Sequence, residues 1–164
     1  MEDFNYKRIW YRIIKEQREK LVYKHFDRQT ALDLALIIIK KAKTDTYGDV
    51  AIRIYEDDTI IFSYKMGSTG LTNDAWLTRK YAVTKHTNLS SMETLSLYKE
   101  GLIESFWDSK EDNFAPCGGC FPIYDINGRT SYTVLVSGLP HHMDHNLLVD
   151  SIAKQLNIKI DLLS

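Results

Sequence analysis

The sequence predicts an α/β domain of the α+β type, a five-stranded antiparallel sheet packed with helices. Three observations lead there. Across 164 residues, five stretches carry apolar side chains at helical spacing. Five shorter stretches alternate in polarity or are rich in β-branched and aromatic residues. Four of these shorter stretches fall into two pairs joined by tight-turn signals, Asp57-Asp58 and Asn127-Gly128.

The elements follow in chain order. Asp3 to Lys20 places Tyr6, Ile9, Trp10, Ile13 and Ile14 on one helical face. Leu21 to Phe26 alternates and reads as a strand. Asp27 suits an N-cap, because its carboxylate can accept from the free amides of a first turn, and the helix Arg28 to Lys43 follows. That helix is apolar almost all round from Ala31 to Ile39, so it needs cover on more than one side. Val50 to Glu56 and Thr59 to Lys65 form the first hairpin, and Met66 to Gly70 a loop. Asn73 or Asp74 caps a third helix running through Trp76 to about His86. A fourth spans Ser91 to Lys99 and stops at Gly101. Ser105 to Pro116 reads as irregular connection. Phe121 to Ile126 and Arg129 to Ser137 form the second hairpin, around a two-residue turn whose positions both require positive φ. The last helix runs from about Asp144 to Leu156, with Leu148, Val149, Ile152 and Leu156 inward.

Composition narrows the function classes. Apolar residues make up 44% and charged residues 26%, within the globular range, and the length suits a single domain over residues 1–164. The net charge of -1 gives no global field toward nucleic acid or membrane. The basic face of the first helix (Lys7, Arg8, Arg12, Lys15, Arg18) is interrupted by Glu16 and Glu19 and reads as a solvated face. No leader-like segment and no membrane-length apolar run occurs, and two cysteines make no disulfide framework, so the expected compartment is the cytoplasm with both thiols reduced.

Hairpin register locates a candidate site. With a two-residue turn at Asn127-Gly128, Phe121 faces Val134, Cys120 faces Leu135, Gly118 faces Ser137 and Cys117 faces Gly138. Cys117-Gly118-Gly119-Cys120 then lies beside the residues leading into the last helix, whose N-terminal amides favour an anion. Three chemistries compete. Cys117, Cys120, His141 and His145 have a two-Cys, two-His zinc spacing. Cys117 and Cys120 are also a C-x-x-C dithiol, although the motif enters a strand rather than a helix. The favoured alternative is a small-ligand pocket lined by Gly118, Gly119 and Ser137, with Asp144 or His145 as polar contacts. Buried cysteines and a glycine bulge without function would produce the same pattern. A second cluster, Asn73, Asp74, Trp76, Arg79 and Lys80, shares helical faces around Trp76. Arg79 suits a carboxylate or phosphate there, and pairing within the fold is the alternative. No nucleophile, base and stabiliser can be named together, which argues against an enzyme.

These same residues carry a resemblance. Asn73-Asp74-Ala75-Trp76-Leu77-Thr78-Arg79-Lys80 resembles a motif N-D-x-W-I-x-R-K, and Cys117 to Ile123 resembles H-G-G-S-F-P-I. Val134 to Pro140, followed by Asp144-His145, resembles V-T-V-S-G-L-P with a following D-H. The three motifs belong to uncharacterised protein family (UPF) 0303, a branch of the GlcG-like, haem-degrading-domain superfamily. The resemblance runs from about Leu21 to Leu156 and leaves residues 1–20 as a separate N-terminal helix. It implies a GlcG-like, profilin-like fold, a homo-oligomer and a small-molecule ligand, with haem or cobalamin bound by some relatives in the wider superfamily. Cys117 stands where the motif has histidine, and Leu89 where a second motif, G-H-S-S, has its histidine. A site using those two histidines as iron ligands or as acid and base is therefore altered here. The expectation is a cytoplasmic homo-oligomer binding a small anionic or tetrapyrrole ligand, contacting neither nucleic acid nor membrane. The rival is an adaptor whose aromatic surfaces bind partners.

Overall fold

A computed structural model describes residues 3–108 and 113–164. In chain order the elements are α1 (Trp10–Lys20), β1 (Val22–Tyr23), α2 (Arg28–Thr44), β2 (Ala51–Glu56), β3 (Thr59–Lys65), α3 (Leu71–Thr87), α4 (Ser91–Lys99), β4 (Cys120–Asp125), β5 (Tyr132–Ser137) and α5 (His141–Leu156). The strands form one sheet in the order β1-β4-β5-β2-β3.

Local chemistry sets most boundaries. Asp27 caps α2 reciprocally with Thr30: its carboxylate accepts from the Thr30 N–H at 2.9 Å, and its own N–H donates to the Thr30 hydroxyl at 3.3 Å. Ser90 caps α4 through the Glu93 N–H at 3.0 Å. Elsewhere the structure departs from expectation. Helix α1 begins at Trp10, not Asp3, and residues 3–7 have no regular structure. Helix α3 begins at Leu71, with Gly70 at its N-cap, so neither Asn73 nor Asp74 is the cap; Asn73 instead accepts the Gly70 N–H at 3.0 Å from inside the first turn. Helix α5 begins three residues early, behind Pro140. Residues 109–112 of the expected irregular connection lie outside the described residues.

Sheet pairing bears out four of the five strands as antiparallel and corrects the fifth. β2 pairs with β3 and β5, and β4 with β5, all antiparallel, but β1 runs parallel to β4, so the sheet is mixed. β1 and β4 are far apart in sequence, and no local signal sets their relative direction. The second hairpin is also corrected in its turn. Only Gly128 of the Asn127-Gly128 pair has positive φ, at 75°, and the Asp125 N–H donates to the Arg129 carbonyl at 3.1 Å, which makes a three-residue loop. The ladder nonetheless pairs Cys120 with Leu135 and Phe121 with Val134, because the one-residue offset at the turn is absorbed before Tyr132.

The core is split by the sheet. On one face, Leu34 and Ile38 of α2 and Leu148 and Ile152 of α5 pack against Ile52, Ile54, Phe121, Ile123, Val134 and Val136. On the other, Leu77 of α3 meets Ala51, Tyr55, Cys120 and Leu135. The alternation of Val134, Leu135 and Val136 between faces is the strand's period of two. A smaller cluster of Trp10, Ile14, Met92 and Leu95 fastens α1 to α4.

Candidate functional site

On the α3 face, where β5 ends and the chain turns into α5, lies a cavity of about 450 Å³. Its polar centre is an ion pair. Lys80, 2% exposed, crosses from α3 to the end of the sheet, donating to the Val136 carbonyl at 3.1 Å and to Asp144 Oδ2 at 3.1 Å. Asp144, in the first turn of α5, accepts the Leu139 N–H on its other oxygen at 3.1 Å and so fixes the loop between β5 and α5. Burial pushes Asp144 up to about 6, against the pull of Lys80 and the Leu139 and Gly138 amides. Burial by itself would lower Lys80, but the charge and hydrogen bond of Asp144, together with Cys117 and Cys120 nearby, outweigh it and raise Lys80 above its ordinary value. At neutral pH both partners are charged.

The two glycines are explained by close approach. A Cβ on Gly119, whose φ is +126°, would stand 2.5 Å from both Lys80 Nζ and the Val136 carbonyl oxygen. A Cβ on Gly118 would stand 2.1 Å from the His141 carbonyl oxygen. The Gly118 N–H donates to His141 Nδ1 at 3.0 Å, which leaves the His141 proton on Nε2, 2.7 Å from the Asn5 carbonyl. Burial lowers His141 to about 4 and keeps it neutral.

Of the residues singled out in the sequence, Asn73, Trp76, Lys80, Cys117, Ser137 and Asp144 line the cavity. Asn73 Nδ2 also reaches the Ser137 hydroxyl and carbonyl oxygens at 3.3 Å. Gly118 and Gly119 stand behind it as backbone. Asp74 points away and pairs with Arg53 at 3.1 Å and Lys65 at 3.0 Å. Arg79 lies over the Trp76 ring at 4.8 Å and donates to the Phe114 carbonyl at 3.2 Å, so it braces a wall residue. His145 faces α1 instead: its Nε2 bonds Gln17 Oε1 at 2.8 Å, and burial lowers it to about 3.

The zinc constellation is not assembled. Cys120 lies in the α3-side core while His145 lies near Phe121, which points to the opposite face. Among the described residues no group of three or more His, Cys, Asp or Glu could hold a metal ion. Burial raises the Cys120 thiol to about 12, which suits a packing residue. Sequence reasoning missed Asp3, Phe4, Asn5, Thr72 and Leu139 as lining residues and placed His141 only in the zinc set. The stripe Asn73, Trp76, Lys80 was recoverable from its spacing of three and four. Residues 3–5 carried no signal, because their place depends on contacts made across the fold.

Known proteins share this architecture. A family described as haem degrading protein, HbpS-like, matches residues 26–153. A UPF0303 protein of Yersinia pseudotuberculosis serotype O:3 (strain YPIII) is 30% identical over 148 residues, covering 89% of this chain and 86% of that protein. Among solved structures, the Ybr137w protein superposes with a TM-score of 0.77 at 23% identity, covering 90% of this chain and 87% of that one. A PduOC:heme complex superposes with a TM-score of 0.65 at 13% identity, covering 85% and 99%. At these identities the two structures speak for the fold alone.

Proposed function

The chain belongs to the HbpS-like haem-degrading protein family, and from that premise we propose that it is a small-molecule-binding protein whose ligand occupies the cavity beside Lys80 and Asp144. The observation that carries this reading is the buried ion pair at the cavity wall. Placing a lysine and a carboxylate out of water costs several kcal/mol per ion before their attraction repays it, and an apolar pair of similar size would be as stable or more so. Such a pair bordering a cavity is a ligand-site signature. Two of the three Lys80 donors are committed to Val136 and Asp144, and Lys80 lines the cavity together with Ser137 and Trp76. A compact carboxylate or similar polar anion fits that chemistry, with an apolar portion against Trp76.

Haem fits the residues less well. His141, the histidine among the described lining residues, has both ring nitrogens engaged. Cys117 is a thiol of a type that can ligate haem iron, but it is 2% exposed and packed beside Lys80.

The test is a thermal-shift and calorimetric titration with small mono- and dicarboxylates, inorganic phosphate and haem. A ligand at a hundred times its dissociation constant adds ~2.7 kcal/mol, a rise of roughly 5–10 °C for a chain of this size. Ser137→Leu, which fills the cavity, removes the shift. No shift with any of these compounds would sink the reading.

A further inference from the structure

The outer side of the cavity is formed by residues that precede α1. Asp3, Phe4 and Asn5 line it opposite Lys80 and Ser137, and all three lie outside the stretch 26–153 that the family matches. The Phe4 ring stands edge-on to Trp76, with centroids 6.2 Å apart, and 5.6 Å from the His141 ring. Asn5 is held through its carbonyl by His141 Nε2 at 2.7 Å, and the other nitrogen of the same imidazole takes the Gly118 N–H at 3.0 Å. One neutral histidine thus ties residues 3–5 to the glycine segment. The remaining anchor, Asp3 to Lys99 at 2.6 Å, is a surface pair with Asp3 89% exposed, and adds little. Phe4 is only half-buried, and residues 3–5 belong to no helix or strand. Phe4 also packs against the cluster of Trp10, Ile14, Met92 and Leu95, so its ring is the segment's main apolar anchor.

We propose that Asp3-Phe4-Asn5 is the specificity-determining wall of this cavity, restricting it to compact polar molecules, excluding large planar ones and controlling access to the Cys117 thiol. The inference rests on the ligand reading above for its specificity part, while control of Cys117 stands on geometry alone. Cys117 lines the cavity yet is 2% exposed, so a reagent reaches it by way of the cavity. Phe4 stands against both the Trp76 and the His141 rings, which narrows the cavity against a broad macrocycle.

The experiment compares full-length parent, Phe4→Ala and Phe4→Leu, each checked for folding by circular dichroism. Iodoacetamide labelling of Cys117 is followed by mass spectrometry, with Cys120, fully buried in the α3-side core, as an internal reference. Loss of the ring is expected to speed Cys117 labelling by about tenfold in Phe4→Ala and less in Phe4→Leu, with Cys120 unlabelled throughout. Titration with acetate and with haem gives the second readout: the parent takes acetate and binds haem only weakly, and Phe4→Ala binds haem about tenfold more tightly than the parent. Equal Cys117 labelling in parent and both variants overturns the wall, and so does haem binding to the parent as tight as to Phe4→Ala. If neither probe binds while labelling still accelerates, the ligand reading fails and the control of access stands. Should Phe4→Ala not fold, Phe4→Leu carries the comparison.

Discussion

Lys80 and Asp144 hold each other in place, and the cost of separating them is predictable. Lys80→Met leaves a buried carboxylate facing a methyl group, and is expected to destabilise by about 3–5 kcal/mol, as breaking a buried pair on one side does. The double change Lys80→Met with Asp144→Leu should recover most of that loss, since both charges are gone. Urea denaturation of the single and double variants checks this; additive losses would show that the two residues do not act as a pair. Protonation gives a second test. His141 and His145 are held at about 4 and about 3 by burial, so the folded chain keeps them neutral where the unfolded chain takes up protons. Their stability is fully present above 6.5 and falls away as pH drops below it. His142, lowered by burial and then by Lys7, acts in the same sense. Asp144, raised to about 6, acts in the opposite sense, because between about 6 and 3.8 the folded chain holds a proton that the unfolded chain has released. His141 and His145 outweigh this one carboxyl by one proton between about pH 6 and 4, or about 1.4 kcal/mol per pH unit. The melting temperature should therefore fall from pH 7 to pH 4.5, and more gently in His145→Gln. A flat profile in the parent would contradict the burial argument.

At the scale of elements, α3, the β4-β5 hairpin and the first turn of α5 supply most of the site, and their local sequences explain how far they were legible. Asn73, Trp76 and Lys80 lie on one stripe of α3, a pattern visible in their spacing alone. The hairpin register was legible too, although the turn that sets it has three residues and not two. Gly128 takes φ of 75°, so Gly128→Ala should cost about 1–2 kcal/mol in chemical denaturation. Asn127 has no such requirement, and Asn127→Ala is expected to cost less than Gly128→Ala. An equal cost for both would restore the two-residue turn. The helix starts were less legible. Gly70 and Pro140 precede α3 and α5 without a side-chain cap hydrogen bond, whereas Asp27, which does bond the first turn of α2, was legible as its cap.

For the whole molecule, the exposed apolar residues indicate what the single chain leaves uncovered. β3 is an edge strand, and Ile60 and Tyr64 on it are 49% and 46% exposed; Leu32 of α2, which shares a surface depression with Ile60, is 42% exposed. An uncovered edge with apolar neighbours favours pairing with another chain, and we expect a homo-oligomer in solution. Light scattering should give at least twice the chain mass of 19.0 kDa, and Ile60→Lys should reduce it. A monomer at micromolar concentration would refute this. Among the described residues no helix is long and apolar enough to cross a membrane. The sequence by itself determined the helices, the strand pairs joined by turns and the neighbourhood of Gly118, Gly119 and Ser137, because these follow from periodicity and from the reach of a hairpin. The tertiary structure alone decided that β1 runs parallel to β4, that Cys120 and His145 fall on opposite faces of the sheet, and that Phe4 lines the same cavity as Lys80. Each of these depends on segments distant in sequence, whose meeting is fixed by burial of the whole core and not by any local preference.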